Sequence, residues 1–174
     1  MGAHPAPVLT TERLILRGFV AEDFAAKHDI LTQSGTQQFL GRPLSWSDHW
    51  RRVVSGVGQW TVRGYGGLMV VRKQDDRLIG DIGLFDAQRQ IGFDGEPEMG
   101  WVFDRAMHGN GYALEACRAL LQWADSHVQR DIWAIISPGN DPSYRLADKL
   151  GFAVIERSAL EGDPIDILKR PYRG

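Results

Sequence analysis

The sequence predicts a single α+β domain in which helices pack on one twisted sheet. Short apolar runs of strand length alternate with longer segments whose apolar residues recur at helical spacing. Their order is strand, two helices, three strands, helix, strand, helix, two strands, which gives α+β character at the front and a βαβ-like unit at the back. A chain of 174 residues with 43% hydrophobic residues can bury one sizeable core. We therefore expect residues 1–174 to form one domain.

The front of the chain predicts one strand followed by two helices. Leu14–Arg17 is short and apolar and precedes Gly18, which is typical of a strand that ends at a turn. A helix then opens at residues 21–23, with one face formed by Phe24, His28 and Leu31. Ser45 or Ser47 can cap the second helix. Helical spacing predicts that its buried face contains Trp46, Trp50, Val53, Val54 and Val57.

The middle of the chain predicts three strands and the most regular helix. Residues 68–71 and 78–84 flank a turn at 74–76 as the strands of an antiparallel hairpin do, and Glu98–Phe103 is the next strand. The helix from about 111 to 126 has the strongest periodic signal in the chain. Its expected buried stripe consists of Ala113, Ala116, Cys117, Leu120, Leu121 and Ala124.

The back of the chain predicts a central strand, a helix and two more strands. Ile132–Ile136 is a nearly continuous apolar run, as in a strand covered on both faces. The helix that follows ends at Leu150, with Gly151 as its C-cap. Residues 152–155 return to the sheet, and a strand around residues 165–168 completes it.

Charge and composition exclude several classes of function. A net charge of −2 provides no general field for a nucleic acid or an anionic membrane, so we expect neither as a partner. The single cysteine and the scattered histidines predict a metal-free protein in a reducing compartment. Residues 1–8 have no basic segment followed by an apolar run. We expect a cytoplasmic protein with a flexible N-terminus.

A glycine turn opens the most regular helix. Gly109 and Gly111 flank Asn110 between a strand and the helix start, where free backbone N–H groups meet the positive end of the helix dipole. Such a turn suits a pyrophosphate. Taken alone, it is equally compatible with a tight connection that needs glycine. It is neither a Walker loop nor a dinucleotide fingerprint.

The segments around this turn carry a family resemblance. The run from His108 to Ala116 resembles the acyl-CoA pyrophosphate motif of the GNAT N-acetyltransferase superfamily, in the variant of the ribosomal-protein alanine and serine acetyltransferases. Further segments agree in order and spacing, namely Thr11–Arg17, Ile79–Leu84, Glu98–Val102, Asn140–Ser143 and Lys149–Phe152. The resemblance covers nearly the whole chain.

The resemblance implies a three-layer fold and acetyl-CoA as co-substrate. The expected sheet is mixed, mostly antiparallel and twisted, with about seven strands and about four helices. It splays between the Glu98–Phe103 strand and the Ile132–Ile136 strand, and the pantetheine arm lies in the gap. Backbone groups near Trp101, Val102 and Phe103 are expected to bind that arm and polarise the thioester. The phosphates are expected at Gly109, Asn110, Gly111, Tyr112 and Ala113, preceded by His108 where the family usually has Gln or Arg.

Transfer of an acetyl group to an amine requires a base for the amine. Glu98 is the candidate, because it begins the strand beside the gap and can act through one water. The alternative is that Glu98 only pairs with a surface cation. Glu96, two residues earlier, is the second candidate.

The departing thiolate requires a proton or a hydrogen bond. Ser143 matches the serine that approaches the CoA sulfur in the family branch, and Asn140 matches a pantetheine ligand. The alternative for Ser143 is a helix cap. Many relatives use a tyrosine where this chain has Ala147, which leaves Tyr144 as a second candidate acid. Cys117 lies on the apolar stripe and is expected to be buried and inert, so direct transfer is favoured.

The acceptor is expected to be a primary amine on a small molecule or a peptide. In the family, the second helix and the loop after it shape the acceptor cleft, so Trp46, His49 and Trp60 are candidates for amine contact. For the tryptophans, core packing is the alternative. A cationic acceptor is expected to be attracted by four acidic residues, Asp86, Asp94, Glu96 and Glu98. A non-catalytic acyl-CoA-binding module is the second hypothesis, and the chain is expected to be a monomer or a homodimer.

Overall fold

A computed structural model describes residues 6–174 as strands of one sheet with helices on both faces. The strands are β1 (Leu9–Thr10), β2 (Leu14–Arg17), β3 (Gly67–Arg72), β4 (Arg77–Phe85), β5 (Glu98–Phe103), β6 (Ile132–Ile136), β7 (Ala153–Leu160) and β8 (Asp163–Arg170). The helices are α1 (Asp23–Thr32), α2 (Ser34–Gln37), α3 (Trp46–Arg63), α4 (Tyr112–His127) and α5 (Asp141–Leu150), with a 3₁₀ turn at Arg105–Met107. The predicted fold class is confirmed. The short β1 and the single-turn α2 are additions to it.

The eight strands lie in the order β1-β2-β3-β4-β5-β6-β8-β7. Neighbouring strands are antiparallel except for β5 and β6, which are parallel and share a single register pair, Glu98 with Trp133. At this point the Trp133 N–H donates to the Pro97 carbonyl at 2.9 Å. Beyond it the two strands diverge, which confirms the predicted splay.

The apolar stripe of α4 anchors the main core. Ala116, Cys117, Leu120, Leu121 and Ala124 are all buried, as the helical periodicity predicts, and Ala113 of the predicted stripe is half-buried against the core. They pack with residues that alternate along the strands, so one face of the sheet faces α4 throughout. Replacing a fully buried side chain such as Leu120 by alanine would cost about 2–5 kcal/mol. This packing fixes the N-terminal end of α4 beside β5.

The buried face of α3 differs from the one that the sequence predicts. Its buried side chains are His49, Val53 and Trp60. Four residues of the predicted stripe are exposed instead: Trp46, Trp50, Val54 and Val57. The two tryptophans lie at the helix edge, where their rings pack on Phe24 of α1 with centroids 4.6 and 5.0 Å away. The prediction was right for Val53 and wrong for the other four residues, because α3 carries two adjacent apolar stripes and the buried one contains His49, Val53 and Trp60.

The N-terminal segment is only partly described. Residues 1–5, within the expected flexible terminus, lie outside the described residues. Ala6 packs against the main core, whereas Val8 is exposed. Among residues 6–174, no helix is both long and apolar enough to cross a bilayer.

Candidate active site

A continuous cleft of about 1510 Å³ opens along the gap between β5 and β6. One half is lined by β5, the start of α4 and the segment leading into α5. The other half is lined by α1, the segment between α2 and α3, one side of α3, and β4. Most predicted site residues line this cleft, but Asn110, Trp46, Trp60 and Glu96 do not.

The glycine turn has the conformation that an anion site requires. Gly109 and Gly111 have φ of 77° and 79°, in the left-handed region that side chains disfavour. A Cβ on Gly109 would meet nothing within 4 Å, so the space beside it is open. No side chain caps the N-terminus of α4 at Gly111, which leaves its first N–H groups free for a ligand. The side-chain amide of Asn110 is used inside the turn, where it donates to Met107 and His108 carbonyls.

An arginine holds this turn in place. Arg13 donates to the Asn110 carbonyl at 3.0 Å and forms an ion pair with Glu115 in the first turn of α4, at 2.6 Å. Its guanidinium also lies 4.5 Å from the centre of the Tyr112 ring. Burial alone would raise the pKa of Glu115, but hydrogen bonds from Thr11 and Arg13 lower it below its usual range. The carboxylate therefore stays ionised and holds Arg13 against the turn.

His108 connects the turn to β5. Its Nε2 lies 3.2 Å from the Phe103 carbonyl, and because a carbonyl only accepts, Nε2 must donate in this contact. His108 therefore has a structural role at the edge of the phosphate turn. Arg13 and Glu115 lie within the motifs described above, but the sequence does not indicate that they contact each other, because they are 102 residues apart in the chain.

Two residues of β5 present backbone groups to the gap. Trp133 bonds the Pro97 carbonyl on the β6 side, and the Asp104 N–H bonds the Ile79 carbonyl on the β4 side. Because backbone groups alternate along a strand, the N–H groups of Trp101 and Phe103 point into the gap. The prediction that the Val102 backbone binds the pantetheine arm is wrong, because its N–H and carbonyl groups face β4 and only its side chain can reach the cleft.

Ser143 lies across the gap with a free donor. The Trp101 indole Nε1 donates to the Ser143 hydroxyl oxygen at 3.3 Å. Among the hydrogen bonds of the described chain, the Ser143 hydroxyl donates none, so its proton is available to a ligand. Asn140 caps α5 by accepting from the Ser143 N–H at 3.4 Å. The cap role thus belongs to Asn140, and its side-chain NH₂ group remains for ligand contact.

Tyr144 points away from the cleft. Its hydroxyl donates to Asp166 at 2.8 Å, and burial together with this hydrogen bond raises the pKa of Tyr144 to about 12. The position where many relatives have tyrosine, Ala147, is fully buried. Of the two candidate acids, only Ser143 lines the cleft.

The Glu98 carboxylate is buried and paired. It is 5% exposed, and both of its oxygens accept from Arg89, at 2.8 and 3.0 Å. Two of its four lone-pair sites remain open for a water or an amine. Arg89 was missed by sequence reasoning because it lies in a segment between β4 and β5 without periodicity. Glu96 forms an ion pair with Arg130 at 2.6 Å and lies outside the cleft, which removes it as the second candidate.

The aromatic candidates for the acceptor wall are corrected by the structure. Trp60 is 4% exposed, donates its Nε1–H to the Gly67 carbonyl at 3.0 Å and packs on Trp123, so it belongs to the core. Trp46 is 56% exposed and lies on the outer surface. Of the three candidates, only His49 lines the cleft.

His49 is a buried neutral histidine. It is 1% exposed, its Nδ1 lies 2.9 Å from Nδ1 of His28, and its Nε2 has no protein partner. Burial, with smaller contributions from the charges of Lys27 and His28, lowers the pKa of His49 to about 4. The ring is therefore neutral at physiological pH.

Cys117 is fully buried, and burial raises the pKa of its thiol well above the usual range. A thiol in this state is a poor nucleophile, as the sequence predicts. Among residues 6–174, no group of histidine, cysteine, aspartate or glutamate side chains could hold a metal ion.

This combination of a splayed sheet and an uncapped helix at a glycine turn defines an acyltransferase of the GNAT class. Residues 13–153 match the family model described as the acetyltransferase (GNAT) domain, and the chain belongs to that family. The resemblance to the GNAT superfamily inferred from the motifs is confirmed.

Individual relatives agree with the family assignment. YnaD, an uncharacterized N-acetyltransferase of Bacillus subtilis, is 27% identical over 144 residues, which are 82% of this chain and 81% of YnaD. The acetyltransferase structure from Agrobacterium tumefaciens superposes with a TM-score of 0.83 at 27% identity, covering 94% and 93% of the two chains. The ribosomal L7/L12 α-N-protein acetyltransferase RimL, solved with coenzyme A, shares the fold with a TM-score of 0.75 at 16% identity, over 95% and 98% of the chains.

Proposed function

We propose that this protein transfers an acetyl group from acetyl-CoA to a primary amine by direct attack within a ternary complex. One observation carries the proposal. The uncapped N-terminus of α4, the free N–H groups of Trp101 and Phe103, and the Ser143 hydroxyl all border one cleft. A cytoplasmic location and a monomeric or dimeric state stay predictions from the sequence.

The cofactor half of the cleft fits acetyl-CoA. The pyrophosphate would lie against Gly109 and Gly111, where backbone donors and open space coincide. The pantetheine arm would extend along β5, and its amides would complete the hydrogen bonds that the splay leaves unmade. The fold relative RimL was solved in complex with coenzyme A, which supports coenzyme A as the ligand of this fold.

The residues at the centre of the cleft suit amine acetylation. The attacking amine must be neutral, because an ammonium ion has no lone pair. Glu98 would accept the amine proton through a water while Arg89 holds its carboxylate in position. The N–H of Trp101 or Phe103 would stabilise the oxyanion as the new C–N bond forms. As the C–S bond breaks, the Ser143 hydroxyl would donate to the thiolate, and Trp101 orients it.

The pairing of Glu98 with Arg89 also favours a second candidate, a module that binds acyl-CoA without turnover. Both oxygens of Glu98 accept from Arg89, and an ion pair with only a structural role would have the same geometry. The two candidates therefore differ in one measurable property, which is thiol release from acetyl-CoA.

Thiol release should be measured across peptides, amino acids, polyamines and aminoglycosides, together with CoA binding by calorimetry. We expect turnover with one acceptor class, a large loss of turnover in Glu98→Gln, and unchanged CoA affinity. Glu96→Gln is the matched control, because Glu96 has the same chemistry but its ion pair lies outside the cleft. Tight CoA binding without turnover on any acceptor would support the binding module. Equal turnover in the two variants would remove Glu98 as the base.

A further inference from the structure

Three of the acidic side chains that line the cleft are paired with internal cations, whereas Glu161 and Asp163 at the β7–β8 turn line it without an ion pair among the described residues. Asp81 forms an ion pair with Lys27 of α1, Asp86 pairs with Arg63, and Glu98 pairs with Arg89. The expected attraction for a cation was wrong, because each of these carboxylates already has an internal cation. Of the other acidic residues in that prediction, Glu96 pairs with Arg130, and Asp94 accepts the Gln90 N–H at 2.8 Å outside the cleft.

Five cations line the cleft without a side-chain partner among residues 6–174, namely Arg42, Arg52, Arg105, Arg145 and Lys149, and Arg52 is the one on α3. Arg52 lines the cleft from α3, and within residues 6–174 it has neither an ion pair nor a side-chain hydrogen bond. It is the only charged side chain that α3 contributes to the cleft. The neighbouring His49 is neutral, and Arg52 is one of the cations that lower the pKa of His49. The accessible charge on this wall is therefore positive.

A glycine stands one helical turn beyond Arg52. Gly56 lies inside α3 and lines the cleft, and a Cβ built on it would meet nothing within 4 Å. Gly58, also inside α3, has the same open space but lies outside the cleft, so it is the position of Gly56 on the cleft wall, and not the presence of a glycine, that supports a subsite. Residues four apart lie on the same helix face, so Arg52 and Gly56 border the same part of the cleft.

We propose that this side of α3 is an acceptor subsite in which Arg52 binds an anionic group and Gly56 leaves room for the acceptor's body. The acceptor is then an amine that also carries a carboxylate or phosphate. This inference rests on the proposed function. It names the chemical class of the acceptor that the same cleft would take.

The charge of the acceptor is tested with matched amines. Amino acids are compared with their amides, and phosphoethanolamine with ethanolamine, which separates a carboxylate from a phosphate. We expect the anionic member of at least one pair to have the higher kcat/KM. In the amino acid pair, the amide's amine is the less basic and thus more often neutral, so the comparison is biased against this result. Arg52→Gln should raise KM for that anionic acceptor about tenfold and leave the uncharged one unchanged.

Arg51→Gln is the matched control for the charge. Arg51 is the neighbouring arginine, forms an ion pair with Asp48 at 2.7 Å and does not line the cleft. Equal kinetics in Arg52→Gln and Arg51→Gln, or equal use of the anionic and uncharged amines, would overturn the subsite while leaving acetyl transfer intact.

The room above Gly56 is tested with leucine. Gly56→Leu should fold, keep its CoA affinity and raise the acceptor KM at least about tenfold, because the side chain enters the cleft. Gly58→Leu is the control, since Gly58 is also inside α3 with nothing within 4 Å of a Cβ but does not line the cleft. A Gly56→Leu variant with wild-type acceptor kinetics would contradict the proposal.

Calorimetry of the same amines with the CoA-loaded protein separates this inference from the proposed function. Binding that depends on Arg52 without any acetylation would leave the subsite standing and refute the enzymatic activity. Acetylation without a charge preference would refute the subsite and leave the enzymatic activity standing. Neither binding nor acetylation of the anionic amines would overturn the subsite.

Discussion

Replacement of Gly111 by alanine should separate folding from coenzyme binding. Gly111 has a φ of 79°, and a Cβ there would approach only Arg13 Nη2, at an ordinary 3.5 Å. The cost to the fold is therefore backbone strain alone, about 1–2 kcal/mol. Since domains have a free energy of unfolding of about 5–15 kcal/mol, the variant should remain folded.

The same methyl group should weaken coenzyme binding much more. It stands at the N-cap of α4, where the pyrophosphate is expected to accept backbone hydrogen bonds. A hydrogen bond to a charged group is worth about 1.5–3 kcal/mol, so losing one raises the Kd for CoA by about 10- to 100-fold.

Gly92→Ala is the matched control for this experiment. Gly92 has a φ of 100°, its Cβ would meet nothing within 4 Å, and it does not line the cleft. Urea unfolding should show a comparable loss of stability in the two variants, whereas calorimetry should show weaker CoA binding only in Gly111→Ala. Equal CoA affinity in both folded variants would refute the assignment of the turn to the pyrophosphate.

Three further predictions concern the centre and the core of the site. Trp101→Phe removes the indole donor to Ser143 and should lower kcat about three- to tenfold. The CoA affinity, measured by calorimetry, should stay constant. An unchanged kcat would show that this hydrogen bond has no part in turnover. Cys117 should resist thiol reagents in the native protein, and Cys117→Ala should retain acetyl transfer; an acetyl group on this thiol, found by mass spectrometry during turnover, would contradict direct attack. The pKa of His49 is lowered on folding, so its contribution to stability is complete above the ordinary pKa near 6.5 and is lost as the pH falls toward about 4. After allowance for solvent screening, urea unfolding should show a loss of about 1 kcal/mol between pH 7 and pH 5 that His49→Gln abolishes; the same loss in both proteins would place its origin elsewhere.

The sequence predicts the buried face correctly for elements whose apolar pattern allows only one way of packing. The stripe of α4 and the apolar run of β6 were correct, because each of these patterns fits a single way of packing against the core. Helix α3 carries apolar residues around much of its circumference, so periodicity alone identified Val53 but also placed four exposed residues on the buried face. Only the contact of Val53 and Trp60 with the rest of the fold decides which side is buried.

The candidate site was predictable where a motif is local in sequence. The turn from Gly109 to Gly111 and the Asn140–Ser143 pair lie within a few residues of each other and line or border the cleft as expected. The partners that set electrostatics are distant in sequence and carry no pattern, as with Arg89 beside Glu98. The backbone direction of Val102 depends on strand pairing, which composition does not encode.

The divergence of β5 from β6 has a consequence for the mechanics of the domain. The two parts of the sheet are joined directly by one register pair at Glu98 and Trp133, so the edges beyond it are open to solvent exchange. A ligand that accepts hydrogen bonds from the Trp101 and Phe103 N–H groups would connect the two parts of the sheet while it is bound. Coenzyme binding should then slow hydrogen exchange on both sides of the gap. At a CoA concentration of one hundred times the Kd, mass action should raise the free energy of unfolding by about 2.7 kcal/mol, and the thermal midpoint should rise with it. The apo protein would be a domain whose two sheet segments move against each other until the coenzyme ties them together.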